Sequence, residues 1–210
     1  GKWKSDFDFV GTTSEFLAQS FDTSRTTPYK VKITSASNSD ISTIAEAIGL
    51  SSSSYYKAVK IDLDLSECGA TVIPNSAFGA LATDFSARLD VCANLTGIKL
   101  PNTLLKIEAG VFNGTYGITE LEIPAGTTEI FSLPISNITS LNIPSSVKKF
   151  GTGVLMGLNL TEFNVEGVNS WRRIDGGFTS TNGTLIQSNF VLTKEACSGS
   201  DLMWDILERD

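Results

Sequence analysis

Apolar positions recur in a short phrase along the middle of the chain. It reads Leu95-Thr96-Gly97-Ile98-Lys99-Leu100-Pro101, then Ile118-Thr119-Glu120-Leu121-Glu122-Ile123-Pro124, then Ile138-Thr139-Ser140-Leu141-Asn142-Ile143-Pro144. A weaker copy follows at Leu160-Thr161-Glu162-Phe163-Asn164-Val165-Glu166. The third apolar residue advances from Leu100 to Ile123, Ile143 and Val165, in steps of 23, 20 and 22 residues. The last two apolar positions of each copy alternate with polar ones, which predicts a short strand with one buried face. Copies at this spacing stack as neighbouring strands of a parallel sheet, one rung per repeat. The terminal Pro has no N–H for the ladder, so it closes each strand.

A second spacing runs in phase with the first. Ile73 and Phe78, Ile107 and Phe112, Ile130 and Ile135, and Phe150 and Leu155 each place two apolar residues five apart, so they are predicted to fill the rear of the array. Ile61-Asp62-Leu63-Asp64-Leu65 is the first unit; its Leu65 lies 35 residues before Leu100, one period plus an insertion placed at Ala80 to Asp90. An L-x-x-L-x-L core at this period marks a leucine-rich-repeat solenoid. The predicted architecture is α/β and right-handed, with short parallel strands on the concave face and an irregular convex side. About five units are expected over residues 59–166.

The flanks read as caps for the exposed ends of such an array. Residues 1–58 carry a short capped helix at Thr13-Ser14-Glu15-Phe16-Leu17-Ala18 and an alternating strand from Pro28 to Thr34. A second helix opens at Ser39 and Asp40, places Ile41, Ile44, Ala45 and Ile48 on one side, and ends at Gly49. Residues 167–210 carry a hairpin from Trp171 to Leu192 turning at Asn182-Gly183, then a helix over Asp201–Leu207 that buries Leu202, Met203 and Ile206.

The repeats resemble the BspA-like (Treponema-type) leucine-rich repeats of bacterial surface proteins. The resemblance rests on the strand-closing Pro, on Ile73-Pro74-Asn75-Ser76-Ala77-Phe78 and Ile107-Glu108-Ala109-Gly110-Val111-Phe112, and on Cys92-Ala93-Asn94-Leu95-Thr96. Where other leucine-rich repeats often carry Asn after the strand, this chain has Thr103, Gly126 or Ser146, so no asparagine ladder is expected there. The resemblance implies an exported, extracellular or cell-surface protein, its signal or anchor segment absent from a sequence that starts at Gly1. It implies contact with host proteins, extracellular matrix or other cells.

Composition changes the picture mainly by exclusion. The net charge is −7, with no basic cluster, so nucleic acid is not an expected partner. No run approaches the roughly 18 apolar residues of a membrane helix. Histidine is absent altogether, which removes Ser–His–Asp and Cys–His catalysis and the histidine metal sites. Three cysteines cannot all pair; Cys68 and Cys92 fall at one turn of adjacent repeats, so a bridge between them stands beside the alternative of buried free thiols.

Carboxylates remain as candidate chemistry. Asp62 and Asp64 share a strand face roughly 6.5–7 Å apart, but on an open wet surface nothing separates their pKa values for acid and base roles. No enzymatic activity, cofactor or metal is expected. The exposed position between the last two strand apolars gives a row of Asp64, Lys99, Glu122, Asn142 and Asn164, and the row beside it gives Asp62, Gly97, Glu120, Ser140 and Glu162. Together they predict an acidic binding face for a basic protein segment or a polar glycan. The alternative is a structural or carbohydrate-binding component of the cell envelope, using aromatics such as Trp3, Tyr55, Tyr56 and Trp171. Of five N-x-[ST] triplets, at Asn94, Asn113, Asn137, Asn159 and Asn182, those at Asn94, Asn137 and Asn159 follow from repeat grammar and that at Asn182 from its turn; a bacterial source leaves them silent, and a eukaryotic secretory pathway makes them glycan acceptors.

Overall fold

The computed structural model describes residues 6–50, 59–79, 94–133, 137–176, 183–199, 202 and 205–210. The inferred insertion at Ala80 to Asp90 falls outside them, as do Trp3, Tyr55, Tyr56, Cys92, Ile135, Asn182 and Met203.

The repeats form two rows of strands with the core between them. The front row begins with β1 (Phe9–Thr12), β2 (Tyr29–Ser35), β3 (Ile61–Asp64) and β5 (Leu95–Lys99), all parallel neighbours in that order. It resumes with β8 (Ser140–Ile143) beside a parallel β10 (Glu162–Val165). The rear row consists of two-residue strands, β4 (Val72–Ile73), β6 (Lys106–Ile107), β7 (Glu129–Ile130) and β9 (Lys149–Phe150), again parallel. The rear is therefore a second sheet and not the irregular side that was expected. Two residues are too few to show a period in sequence, which is why this sheet was not foreseen.

One turn carries the chain between rows. The carbonyls of Pro101, Pro124 and Pro144 each accept the N–H three residues on, from Leu104, Thr127 and Val147, at 2.9 to 3.1 Å. Those three donating residues are fully buried, so each Pro both ends a strand and starts the descent into the core. Hydroxyls then take the part that asparagine does not play here. Thr103 Oγ1 donates to the Cys68 and Ala70 carbonyls, Thr127 Oγ1 to Leu104, and Ser146 Oγ to Thr127. Each satisfies a carbonyl of the preceding unit that would otherwise be orphaned near the core.

The spaced pairs behave as expected where they are described. Ile73, Ile107, Ile130 and Phe150 are buried on the rear strands, and Phe78, Phe112 and Leu155 lie buried beyond them. The Phe78 and Phe112 rings stack nearly parallel, with centroids 6.3 Å apart. The front phrase is less regular. Residues 118–124 form no ladder strand, although Ile118, Leu121 and Ile123 are buried. The break falls at the entrance to the shortest unit, the 20-residue step from Ile123 to Ile143.

At the N-terminal end, β1 precedes α1 (Thr13–Leu17), and β2 precedes α2 (Asn38–Ala45), so helices replace the rear strand. Both helices begin with a capping box, Thr12 with Glu15 and Ser37 with Asp40. The second cap thus lies two residues before the expected Ser39. The helix also does not stop at Gly49, but runs on as a π-helical turn over Glu46–Leu50. Asn38 Oδ1 accepts the N–H groups of Thr71 and Val72 at 2.9 and 3.1 Å, covering the open edge of β4.

At the C-terminal end, β11 (Trp171–Asp175) and β12 (Leu185–Phe190) form the expected hairpin, but the loop is longer than two residues: Gly183 N–H donates to the Asp175 carbonyl. The helix expected at Asp201–Leu207 is replaced by β13 (Asp205–Glu208), antiparallel to both β9 and β11. Tertiary context overrides the helical spacing because β9 presents an unfilled edge. Glu208 then pairs with Lys149 at 2.8 Å and Arg172 at 3.5 Å. Across the outer side of the rear sheet this continues an alternation of charge, Lys106 beside Glu129, then Lys149, Glu208 and Arg172. A short helix that sequence reading missed, α3 (Lys194–Ser198), follows an N-cap at Thr193 and buries Cys197.

Arg209 fastens this end. Its guanidinium is buried and donates to the carbonyls of Pro144 (2.6 Å), Val147 (2.5 Å), Glu166 and Val168 (both 3.2 Å), with its carbon 4.6 Å above the Trp171 ring. Four carbonyls from two units thus share one cation. Arg209→Ala is expected to cost about 2–4 kcal/mol, since it leaves buried acceptors unpaired. Arg209→Lys should recover only part of this, because an ammonium lacks the planar fork. Urea unfolding of the two variants beside the native chain measures both.

Candidate functional site

Strand alternation decides what the front face displays. In β3, Ile61 and Leu63 are buried while Asp62 faces outward and Asp64 is half-buried; in β8, Leu141 and Ile143 are buried while Ser140 and Asn142 are exposed. Asp62 lies opposite Gly97, and Asp64 opposite Lys99. A Cβ at Gly97 would stand 2.5 Å from Asp62 Oδ1, so a side chain there would require that carboxylate to move. The Asp62 carboxylate lies across the space a side chain would fill.

On its other side β3 pairs with β2, which sets Lys30 opposite Asp62 and Lys32 opposite Asp64. The rows read from the repeats do not include these two lysines, because in sequence their strand belongs to the cap. The signal was the same period of two in Pro28–Thr34, extended one strand further. Lys32 Nζ also lies 2.7 Å from Glu67 Oε1, and that hydrogen-bonded partner holds its pKa above the ordinary lysine value. Three cations, Lys30, Lys32 and Lys99, therefore alternate with Asp62 and Asp64. This half of the face is balanced in charge and hollowed into a concavity of about 240 Å³, with Asp6 and Phe7 at its wall.

The other half differs. Glu120, Glu122 and Glu162 line a cleft of about 530 Å³ together with Ser140, Asn142 and Thr161, and among the described residues no basic one lines it. Polar side chains stack along its floor. Asn164 Nδ2 donates to Asn142 Oδ1 at 2.6 Å, Asn142 Nδ2 donates to Glu166 Oε1 at 2.8 Å, and Ser140 Oγ donates to Glu162 Oε2 at 3.4 Å. A two-rung asparagine stack thus exists on the strands themselves, away from the turn positions. Among the predicted residues, the structure gathers Glu120, Glu122, Asn142 and Glu162 in one cleft, with Asn164 stacked beside it. It sets Asp62, Asp64 and Lys99 in the other.

The aromatic alternative loses its hairpin residue. Trp171 is 1% exposed, its ring packed against Phe150 with centroids 5.2 Å apart, and its Nε1–H donated to Asn169 Oδ1. With Arg209 over one face, it has none to offer a sugar ring.

Comparison with known families names the repeats. Residues 88–177 match the family model of the BspA type Leucine rich repeat region, in six copies. This stretch is a BspA-type leucine-rich-repeat region. Nothing among curated proteins or solved structures matches the chain. Regions of this type act in general as protein-interaction modules and are in general non-enzymatic. Lys99, Glu120, Glu122, Asn142, Glu162 and Asn164 lie inside the BspA-type region; Asp62 and Asp64 lie upstream of it. Among the described residues, no helix is long and apolar enough to cross a membrane, and no group of three or more cysteines or carboxylates is disposed to hold a metal ion.

Two thiols flank the BspA-type region on the inside of the fold. Cys68 is buried and its Sγ–H donates to the Ile33 carbonyl at 3.2 Å; Cys197 is buried behind α3. Both are free thiols. Desolvation pushes Cys68 up to about 11 and Cys197 up to about 12. Both folded values exceed the reference value of 9.0, so the stability they lend is whole below about pH 9. It declines as pH rises toward 11 and 12, where the unfolded chain sheds protons that the folded one keeps. The expected result is a urea midpoint that falls between pH 9 and 11, with a shallower fall in a Cys68→Ala, Cys197→Ala variant. A thiol reagent at neutral pH should label neither residue until the chain unfolds.

Proposed function

We propose that this chain is a non-catalytic binding module, secreted or held at the cell surface, that recognises a protein partner through the front strand face of its repeats. The repeats are read as a right-handed solenoid with that face concave, and residues 1–58 and 167–210 as its caps. What supports the reading most is the cleft of Glu120, Glu122 and Glu162, without a cation among its described lining residues and lying within a BspA-type region. Three carboxylates on a wet, shaped surface favour a partner that brings lysine or arginine, through steering and register more than raw affinity. The balanced half around Lys30, Asp62, Asp64, Lys32 and Lys99 would then take polar contacts of either sign. A folded protein or an extended basic segment is the partner class; host proteins, matrix proteins and other surface proteins all carry such segments.

The test is binding of the chain to a panel of matrix proteins and glycans, beside a Glu120→Lys, Glu122→Lys, Glu162→Lys variant and a Lys30→Glu, Lys99→Glu variant. The expected outcome is a protein ligand whose affinity falls about tenfold or more in the first variant and little in the second. The same affinity should weaken steeply as ionic strength rises from about 0.1 M to about 1 M, where screening contracts from roughly 10 Å to 3 Å. Equal binding by native chain and first variant moves the site off this face. Binding to glycans alone, indifferent to salt, replaces the reading with a carbohydrate-binding one.

A further inference from the structure

β12 is the outermost strand of the rear sheet. One of its edges pairs with β11, and among the described residues no strand pairs with the other. Open edges in natural proteins are usually blunted with lysine, proline or bulges, because bare N–H and C=O groups invite another strand. From Leu185 to Val191 the sequence is Leu-Ile-Gln-Ser-Asn-Phe-Val, with no charge and no proline. Its register with β11 shifts twice, between Phe190 and Gln187, where Asn189 is held at φ +57°, and again between Gln187 and Leu185. Leu185, Ile186 and Val191 stand 54%, 53% and 56% exposed, an unusual display for apolar side chains on a single strand.

The order of residue kinds from Leu185 to Val191, the residue after β12, is a mirror about Ser188. Two copies laid antiparallel with a two-fold axis at Ser188 place Leu185 opposite Val191, Ile186 opposite Phe190, Gln187 opposite Asn189, and Ser188 opposite itself. Every apolar residue meets an apolar one and every polar residue a polar one, which is the self-complementarity an isologous contact requires. Charge points to the same strand. Copies of a chain with net charge −7 repel one another in general. Another edge strand, β10, begins at Glu162 and is followed by Glu166, so pairing there gathers carboxylates. β12 lets two backbones meet without bringing like charges together.

We propose that the chain self-associates through β12 into a two-fold dimer whose rear sheets join edge to edge across the Ser188 axis. The contact uses none of the front-face residues. A strand of six residues a side, with Val191 beside it, buries less than the roughly 800 Å² per partner of a standard interface, so dissociation falls between about 1 μM and 1 mM.

Sedimentation of the full chain over that range tests the proposal, together with Ser188→Lys and Ser188→Cys. The native chain should approach twice its monomer mass as concentration rises. Ser188→Lys sets two like charges against each other on the axis and should weaken dimerisation about tenfold or more. Ser188→Cys should give a disulfide-linked dimer under mild oxidation, absent in the native chain, since only a residue on the axis faces its own copy. Far-UV circular dichroism checks that Ser188→Lys folds; if it does not, the cysteine cross-link alone decides. A single monomeric species throughout overturns the proposal. So does a dimer that Ser188→Lys leaves intact and Ser188→Cys fails to cross-link, because another face then makes it. Growth beyond two copies overturns it as well, since a closed two-fold contact cannot propagate.

Discussion

A sheet assembled one strand at a time always has a free edge at each end, and this chain has two rows to close. No single unit buries its own apolar face, so the core exists only while neighbouring rungs stay in register. At the N-terminal side, α2 supplies Asn38 to the bare amides of Thr71 and Val72, while β1 and β2 continue the front row outward. At the C-terminal side, β13 fills the edge of β9, and Arg209 ties the last residues to carbonyls of two separate units. The front row keeps an open strand in β10, whose Phe163 and Val165 are only half-buried.

Much of this was legible because the phrase repeats. Leu95, Ile98 and Leu100, or Ile138, Leu141 and Ile143, recur at a period that no single helix or hairpin produces, and their burial follows from it. The rear strands were legible only as pairs of buried positions, since Val72–Ile73 and Lys106–Ile107 are too short to show alternation. Asp205–Glu208 reads as helix because Leu202, Met203 and Ile206 fit a helical spacing. The pairing of Asp205–Glu208 is imposed by β9 and β11, which lie some 60 and 30 residues away along the chain, beyond the reach of a local pattern. The interruption at residues 118–124 is of the same kind, with local alternation intact and no ladder formed.

The candidate face was half legible. Strand alternation within the repeats indicates which residues face outward, but the rows read from sequence end at Asp62 and Asp64, where the repeat phrase begins. Sheet pairing does not respect that boundary, so Lys30 and Lys32 sit beside those carboxylates and cancel them. The acidic character that composition spreads along the whole face is concentrated by topology into Glu120, Glu122 and Glu162.

The reversal of strand direction at β13 also governs how such an array can change length. Parallel rungs follow one another because each coil ends where the next begins, and an antiparallel strand breaks that sequence of handovers. With β13 seated on β9, no later coil can dock on the rear row. New units enter by insertion upstream of Lys149, where each incoming rung finds a parallel neighbour on both sides and the closing strand need not be rebuilt. Duplication within the array is therefore the structurally inexpensive route to a longer protein, and extension past its end is not.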